Sequence, residues 1–344
     1  MNEIEHRDRE LLNVLQSEIP ISSTPYALIG QVIDMSEKEV IKRITRLKSE
    51  GVVRRITGMF DNRRLGYSTS LVAARVDAGS VDHAAATINL HPGVSQNYVR
   101  NHHFNIWFTI AVGPDSKLGL EKTVAILGEE AECQVVRLLP KLRMLKSANG
   151  DSDSTTGADG DDDSSRIDPG LTPEEIEAVR LLQRDLPLQP RPFDELAATA
   201  NMSGEQLLDS ARLFAKRQQL RQFTGVLDLK KPSFSATTMG VWTVPETGLE
   251  DFGGKLASIK AVSQSYVRPV YNDWPYNVFT TVHGRSVDEC ESVLSEIERA
   301  TGIKERNALY PTRELKRVRI ALFSPDQRAW EASHLAQDSE SAVS

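Results

Sequence analysis

One polar phrase occurs twice in this chain of 344 residues. Residues 94–108 begin Val-Ser-Gln-Asn-Tyr-Val-Arg, and residues 262–279 begin Val-Ser-Gln-Ser-Tyr-Val-Arg. A second match, Arg-Arg-Ile-Thr-Gly against Arg-Gln-Phe-Thr-Gly, places Thr57 and Thr224 at equivalent positions. A repeat that spans most of a chain predicts two homologous halves, each large enough to bury its own hydrophobic core.

The two copies of the phrase differ in the residues between their shared anchors. The first copy holds His102 and His103, and the second holds a four-residue insertion with Tyr271, Asn272, Asp273 and Trp274. Each copy then closes with an aromatic residue followed by Asn. A shared frame with different polar contents predicts two related sites that have taken different roles.

Apolar periodicity divides each half into two predicted domains. Three short helices and a β-wing, taken in the first half from 52–60 and 65–67, predict a winged helix-turn-helix. A βαββαβ order follows, which is that of a ferredoxin-like domain, and 314–323 is a further predicted edge strand. The predicted fold class is therefore α+β, with boundaries at 1–64 and 65–148 in the first half and at 171–232 and 233–326 in the second.

Charge and composition locate the flexible parts of the chain. The net charge is −7, and residues 149–168 contain seven Asp and one Arg among Ser, Gly and Thr. Such a segment has almost no apolar surface to bury, so 149–170 is a predicted disordered acidic linker. The tail, 327–344, is also predicted to be poorly ordered.

The remaining composition is that of an ordinary globular protein, with 40% hydrophobic and 26% charged residues. The sequence has no apolar run long enough to span a bilayer, and its start has no signal-peptide pattern. Cys133 and Cys290 lie at unrelated places in the two halves. We therefore expect a cytoplasmic protein with two unbridged thiols and no membrane association.

The order of the domains resembles that of the Lrp/AsnC transcription regulators. Within that superfamily, Tyr98-Val-Arg100-Asn-His102-His-Phe104-Asn-Ile-Trp107 resembles the signature of the siroheme decarboxylases. The second copy, with Tyr-Val-Arg and then Tyr-Asn-Asp-Trp-Pro-Tyr-Asn, is similar to the partner subunit of the same enzyme. The chain thus resembles both subunit types fused into one polypeptide.

This resemblance implies an activity and an assembly. The implied reaction converts siroheme to 12,18-didecarboxysiroheme with release of two CO2, in alternative haem or haem d1 biosynthesis. No cofactor is implied beyond the iron of the siroheme substrate, and the product would be handed to later enzymes of the haem pathway. The pairing habit of the superfamily implies an internal pseudo-dimer of the two sheets, open to further homo-oligomerisation.

Siroheme is a flat macrocycle with many carboxylates, and the motif residues suit it. Arginine binds carboxylates through a planar, permanently charged fork, and aromatic side chains can wall a ring. The predicted substrate-binding residues are Arg54, Tyr98, Arg100, Asn105, Trp107, Arg221, Tyr266, Arg268, Asn272, Trp274, Tyr276 and Asn277. Each has a structural alternative: Arg54 could brace the wing, Arg100 could form a salt bridge, and Tyr98 and Trp107 could pack in a core.

The reaction also needs a proton donor, because loss of CO2 leaves an electron pair on carbon. A histidine that titrates near neutral pH is a natural donor. His102 is the first candidate and His103 the second, and either could instead coordinate the siroheme iron; no protein-bound metal site is predicted. The second copy lacks this histidine, so it either uses Tyr271 as its acid or is a degenerate site that shapes its neighbour.

A DNA-binding transcription regulator, including one that senses haem, is the alternative from another functional class. DNA affinity needs a basic surface. Residues 1–64 contain 11 Lys/Arg and 10 Asp/Glu, and residues 171–232 contain nine of each. Neither half therefore has the excess of positive charge that DNA binding needs, and we do not expect DNA as a partner.

Overall fold

The structure is a computed structural model that describes residues 6–147, 170–228 and 236–341. Of the predicted linker, only Gly170 falls within these ranges. The first half contains α1 (His6–Ser17), α2 (Pro25–Val32), α3 (Glu37–Ser49), β1 (Val53–Phe60), β2 (Ser68–Arg75), α4 (Val81–Leu90), β3 (Val94–Arg100), β4 (Ile106–Val112), α5 (Gly119–Glu130), β5 (Val135–Leu139) and β6 (Arg143–Ser147). The second half contains α6 (Pro173–Leu182), α7 (Pro192–Ala198), α8 (Gly204–Lys216), β7 (Leu220–Leu227), β8 (Ala236–Trp242), α9 (Leu249–Leu256), β9 (Val262–Val267), β10 (Val278–Gly284), α10 (Val287–Thr301), β11 (Arg306–Leu309), β12 (Pro311–Arg317) and α11 (Pro325–Ser341).

The chain forms two compact units, and each unit combines parts of both halves. The first, here called the winged-helix unit, comprises Met1–Gly66, Ile167–Lys230 and Ala321–Ser324. The second, here called the sheet unit, comprises Tyr67–Arg166, Lys231–Ile320 and Pro325–Ser344.

Three helices of the winged-helix unit begin at N-cap residues. Ser36 accepts the backbone N–H of Glu39 at the start of α3, and Thr172 and Ser203 form capping boxes at α6 and α8. The strands β1 and β7 pair antiparallel with each other, with Thr57 opposite Thr224. The predicted wing inside the first half is therefore wrong: residues 62–66 form turns, and β1 pairs with β7 of the second half instead of with residues 65–67.

The sheet unit contains two antiparallel sheets that exchange an edge strand. Their orders are β12-β3-β4-β2-β5 and β11-β8-β10-β9-β6, so β6 belongs to the second half's sheet and β12 to the first half's. Lys146 on β6 donates to the carbonyl of Leu256, the last residue of α9, at 2.7 Å and to that of Ile259, just beyond the helix, at 2.6 Å. Lys316 on β12 does the same for Asn89 at the end of α4. A cation is favourable at a helix C-terminus, so these lysines fix the exchange from both sides.

Alternation along the strands produces three cores in the sheet unit. One lies between the first sheet and α4 and α5, and another between the second sheet and α9 and α10. The third lies where the opposite faces of the sheets meet, and its buried members are Ala73, Phe104, Trp107, Leu139, Val241, Trp274, Phe279 and Leu309. This arrangement confirms the predicted α+β class and the internal pseudo-dimer.

The end of the chain folds as a helix, so the prediction of a poorly ordered tail from Gln327 is wrong as far as Ser341. Trp330 of α11 packs edge-on against His91, with ring centroids 4.4 Å apart. Glu331 accepts the Leu118 N–H at 2.6 Å, next to the start of α5. Trp330 also packs against the core between the first sheet and α4 and α5, so this helix is docked on the first half. Among the described residues, no helix has the length and apolar character to cross a membrane.

Candidate functional site

The loops that carry the two copies of the phrase converge on the third core. The loop between β3 and β4 brings Phe104, and the insertion between β9 and β10 brings Trp274, which is fully buried. The ring centroid of Trp274 lies 5.7 Å from that of Phe104, 5.2 Å from Trp107 and 5.1 Å from Tyr276. The two motif loops thus build one aromatic cluster with contributions from both halves.

His102 lies at the edge of this cluster. Its ring meets Trp274 edge-on at 5.3 Å, and its Nδ1 accepts the backbone N–H of Phe104 at 3.1 Å. This contact assigns the proton of the neutral ring to Nε2. Burial, and secondarily the neighbouring His103, lower the pKa of His102 to about 4. The expected near-neutral pKa is therefore absent in the free protein, where the ring is uncharged at pH 7.

His103 is the more exposed of the two histidines. Its ring centroid lies 4.0 Å from that of His102, and its side chain faces solvent. The His103 ring centroid also lies 4.8 Å from that of Phe104, so both histidines lie at the edge of the cluster, with His103 the more exposed.

The arginines of the two motifs occupy equivalent positions. Arg100 donates from Nη1 to the carbonyl of Leu309 at 2.7 Å, and Arg268 donates from Nη1 to the carbonyl of Leu139. Each guanidinium therefore reaches the last ferredoxin-like strand of the other half. Burial lowers the pKa of Arg100 to about 10, and no carboxylate of a described residue lies within ion-pair distance of it. A buried guanidinium of this kind is suited to an anionic ligand.

The motif tyrosines brace these arginines. The Arg100 guanidinium lies 5.7 Å from the Tyr98 ring, and that of Arg268 lies 5.9 Å from the Tyr266 ring. The Tyr98 hydroxyl donates to Glu314 of β12 at 3.3 Å, and its pKa is raised, mainly by burial. Both tyrosines therefore contribute to the frame that holds the arginines.

The two motif asparagines bind backbone. Asn105 accepts the Val76 N–H at 3.0 Å and donates to the Val76 carbonyl at 2.9 Å. Asn277 makes the same pair of bonds with Val244, at 2.8 and 2.7 Å. Because both amides are used in this way, the contacts favour a structural role over the predicted role in substrate binding.

The insertion docks on β5 of the first half. Tyr271 donates from its hydroxyl to the carbonyl of Leu138 at 2.6 Å, and burial raises its pKa. Asp273 accepts two hydrogen bonds from Arg137, both at 2.9 Å, while Asn272 is exposed. These contacts make Tyr271 an anchor of the loop and a poor proton donor.

Sequence reasoning missed two arginines beside this insertion. Arg137 on β5 donates two hydrogen bonds to Asp273, and these bonds, followed by the charge of Arg137, lower the pKa of that carboxyl, with a smaller contribution from Arg75 at the end of β2. The Nε of Arg75 is buried and has no hydrogen-bond partner among the described residues. Neither arginine lies in the repeated phrase. Only a predicted register of β2 against β5 could have indicated that both lie on neighbouring strands.

Arg54 and Arg221 belong to the winged-helix unit. Arg54 pairs with Asp228 at 2.6 Å, and Arg221 pairs with Asp61 at 2.7 Å. These two ion pairs are equivalent in the repeat and join the two halves across β1 and β7. Both pairs lie within the winged-helix unit, so they favour a structural role over a grip on substrate, and that role is not a brace of the wing against the ferredoxin-like sheet.

The helices equivalent to DNA-recognition helices use several of their cations within the unit, although Lys38 and Lys42 of α3 are exposed. On α3, Arg43 pairs with Asp8 at 2.9 Å and Arg46 with the same carboxylate, while Lys48 pairs with Asp185 at 2.8 Å. On α8, Arg212 pairs with acidic neighbours on the same helix. These pairings do not favour a DNA-binding regulator.

A protein-bound metal site requires a cluster of ligating side chains. Among the described residues, no cluster of three or more His, Cys, Asp or Glu side chains could hold a metal ion. Cys133 and Cys290 are free thiols, and burial raises the pKa of both.

Comparison with protein-family models finds two families, each matched twice. The model of the AsnC-like ligand binding domain matches residues 64–146 and 233–316. The model of the siroheme decarboxylase NirDL-like HTH domain matches residues 8–54 and 175–221. These matches fall in the two predicted winged-helix and the two predicted ferredoxin-like domains.

Comparison with individual proteins extends over nearly the whole chain. A siroheme decarboxylase of Hydrogenobacter thermophilus is 34% identical over 322 residues, which cover 93% of this chain and 96% of that protein. The siroheme decarboxylase alpha subunit of Desulfovibrio desulfuricans is 36% identical and covers 42% of this chain, with 82% of its own length. The crystal structure of the siroheme decarboxylase NirDL in co-complex with an iron-uroporphyrin III analogue has a TM-score of 0.79 and 31% identity, covering 96% of this chain and 100% of that one. On these grounds the chain belongs to the siroheme decarboxylase family, with both subunit types in one polypeptide.

Proposed function

We propose that this protein removes the carboxyl groups of two acetate side chains of siroheme, giving didecarboxysiroheme and two CO2. Its place in the siroheme decarboxylase family supports the reaction, and a family member has been crystallised with an iron-uroporphyrin analogue. The observation that carries the proposal is the convergence of both motif loops on one aromatic cluster, with His102 at its edge. Aromatic rings, a buried arginine and a histidine supply what a carboxylated macrocycle needs.

The proposed chemistry balances without a redox partner. Arg100 holds a substrate carboxylate by a charge-assisted hydrogen bond. The bond between the acetate methylene and its carboxyl carbon breaks, CO2 leaves, and the electron pair stays on the methylene carbon. The protonated imidazole of His102 then delivers the Nε2 proton to that carbon, which becomes a methyl group, and the neutral imidazole left behind regains a proton from solvent.

Substrate charge prepares His102 for this role. In the free protein its pKa is lowered to about 4. A carboxylate within about 4–6 Å favours the charged form of an imidazole and raises its pKa. Bound siroheme therefore increases the protonated fraction of His102 where the proton is used. If His102 or His103 coordinates the siroheme iron instead, its substitution should abolish binding together with turnover.

The proposal extends to conditions and partners. The reaction needs no cofactor beyond the iron that siroheme carries. The protein acts in the cytoplasm, and its product passes to later enzymes that form haem b or haem d1. Pseudo-dimers of this kind can associate further into homo-oligomers.

Anaerobic incubation with siroheme, followed by mass spectrometry of the tetrapyrrole, tests the proposal. Two successive losses of the mass of CO2 should appear without any added organic cofactor. Unchanged siroheme after incubation with well-folded protein under reducing conditions would contradict it.

A further inference from the structure

We infer that Arg137 and Asp273 are positioning residues that hold the insertion of the second half so that Trp274 stays against His102. Neither residue needs to touch the substrate for this role. The inference rests on the proposed function, because it concerns the proton donor of that reaction.

The pair has the geometry of a strong clamp. Arg137 donates from Nε and Nη2 to the two carboxylate oxygens of Asp273, each at 2.9 Å. Bidentate arginine–carboxylate pairs fix orientation as well as distance. The guanidinium also lies 5.0 Å from the ring of Tyr271, so it contacts the insertion at two points.

The insertion is short and closed on itself. Tyr271 and Trp274 exchange two backbone hydrogen bonds of 2.9 Å each, with Asp273 in the turn between them. The Tyr271 hydroxyl adds a bond of 2.6 Å to the carbonyl of Leu138 on β5. A displacement of Asp273 is therefore transmitted to Trp274, the next residue.

Trp274 depends on this anchor more than Trp107 does. The indole N–H of Trp107 donates to the carbonyl of Phe104 at 2.7 Å. The indole N–H of Trp274 is buried and has no hydrogen-bond partner among the described residues. Packing and the loop anchor consequently set the position of Trp274, and Trp274 in turn covers His102, whose ring lies 5.3 Å away.

The clamp breaks the symmetry of the repeat. Asn307 on β11 occupies the position that Arg137 has on β5, two residues before the leucine whose carbonyl binds a motif arginine. The equivalent loop of the first half is anchored by Asn101, which accepts the Tyr310 N–H at 2.6 Å. The loop of the second half, which contacts His102, is thus held by an ion pair, whereas the equivalent loop of the first half is held by a neutral hydrogen bond.

The experiment compares Asp273→Asn with Asp82→Asn in the full chain. Asp82 pairs with Arg313 of β12 at 2.6 Å, so its variant also exchanges an ion-paired aspartate for an amide in the sheet unit. The first readout is the rate at which diethyl pyrocarbonate modifies His102 and His103, resolved by tandem mass spectrometry. Asp273→Asn should raise the His102 rate severalfold and leave that of exposed His103 unchanged, while Asp82→Asn should change neither.

The second readout is steady-state kinetics with siroheme. Asp273→Asn should lower kcat about tenfold or more, because a misplacement of about 1 Å can cost on the order of a hundredfold. KM should stay within about twofold, since a positioning residue makes no substrate contact. The modification rate requires no siroheme, so it tests the clamp even if the proposed reaction is wrong.

Two results would overturn the inference. An unchanged His102 modification rate and unchanged kcat in a folded Asp273→Asn protein would reduce the pair to a structural ion pair. A lower KM with unchanged kcat would mean that Arg137 binds a substrate carboxylate for which Asp273 competes. If Asp273→Asn does not fold, Tyr271→Phe loosens the same insertion by one hydrogen bond, and it should raise the His102 modification rate by a smaller factor. No rise in that variant also counts against the clamp.

Discussion

Replacement of His102 by alanine is the sharpest test of the proton donor. A general acid typically contributes about 10² to 10⁴ in rate, so kcat should fall on the order of a hundredfold or more. A hundredfold loss corresponds to about 2.7 kcal/mol of transition-state stabilisation. Siroheme binding should be weakened much less, because Arg100 and the aromatic cluster remain in His102→Ala.

The pH dependence adds a second signature. The pKa of His102 in the free protein is about 4, so roughly one molecule in a thousand has this ring charged at pH 7. Bound carboxylates raise that pKa in the complex. Since the protonated ring delivers the proton, kcat should be highest below the pKa of the complex and should fall as pH rises through it. His102→Ala should lack this decline.

The assay is a single-turnover anaerobic reaction, with product masses followed over time and binding measured from the siroheme absorbance. His103→Ala is the matched control, because it removes the neighbouring exposed ring, and its kcat should stay within about threefold of wild type. Full turnover in His102→Ala would refute the assignment and move the acid role to His103. Loss of siroheme binding in His102→Ala would instead point to iron coordination.

Three further predictions follow from other parts of the molecule. Arg100→Ala should mainly raise the dissociation constant of siroheme, because it removes the cation proposed to hold a substrate carboxylate. An unchanged constant by absorbance titration would exclude that contact. His91 is buried with its pKa lowered to about 4, so its contribution to stability is complete above pH 6.5 and is lost as pH falls towards 4. Between pH 7 and 5 this loss of unfolding free energy is about 2 kcal/mol. The stability of His91→Asn should therefore decrease less than that of wild type between these pH values, as measured by thermal unfolding at both. A chain cut within 151–165 and co-expressed as two halves should give a complex with near-normal activity, because β6 and β12 each complete the other half's sheet. Halves that neither co-purify nor react would show that the covalent linker is required.

The sequence predicted the repeated architecture because periodicity reports which residues of an element are buried. The apolar stripe of α3 is an example, because its apolar positions Val40, Ile44 and Leu47 are the ones that are buried. Periodicity does not report which strand lies alongside. The pairing of β1 with β7 and the exchange of β6 and β12 are made by backbone hydrogen bonds, which leave no pattern in the side chains.

The candidate site was predicted unevenly for a related reason. The repeat indicated His102, Arg100 and Trp274, because the two copies share their flanking residues and differ in the residues between them, and this can be seen in a single sequence. It also marked Asn105, whose amide binds the backbone of Val76, since structural and substrate-binding residues of a motif are repeated together. Arg137 could not be found in this way, because its partner Asp273 is 136 residues away and the repeat offers no counterpart.

The asymmetry between the halves follows from their shared interface. The two motif loops meet in the third core, where Phe104 of the first half and Trp274 of the second are both fully buried. The histidine pair of the first half occupies the edge of that core, where His102 contacts Trp274 and His103 reaches solvent. An insertion in one half and a histidine in the other are therefore complementary parts of a single site. A chain that carries both halves keeps these parts in a fixed ratio of one to one.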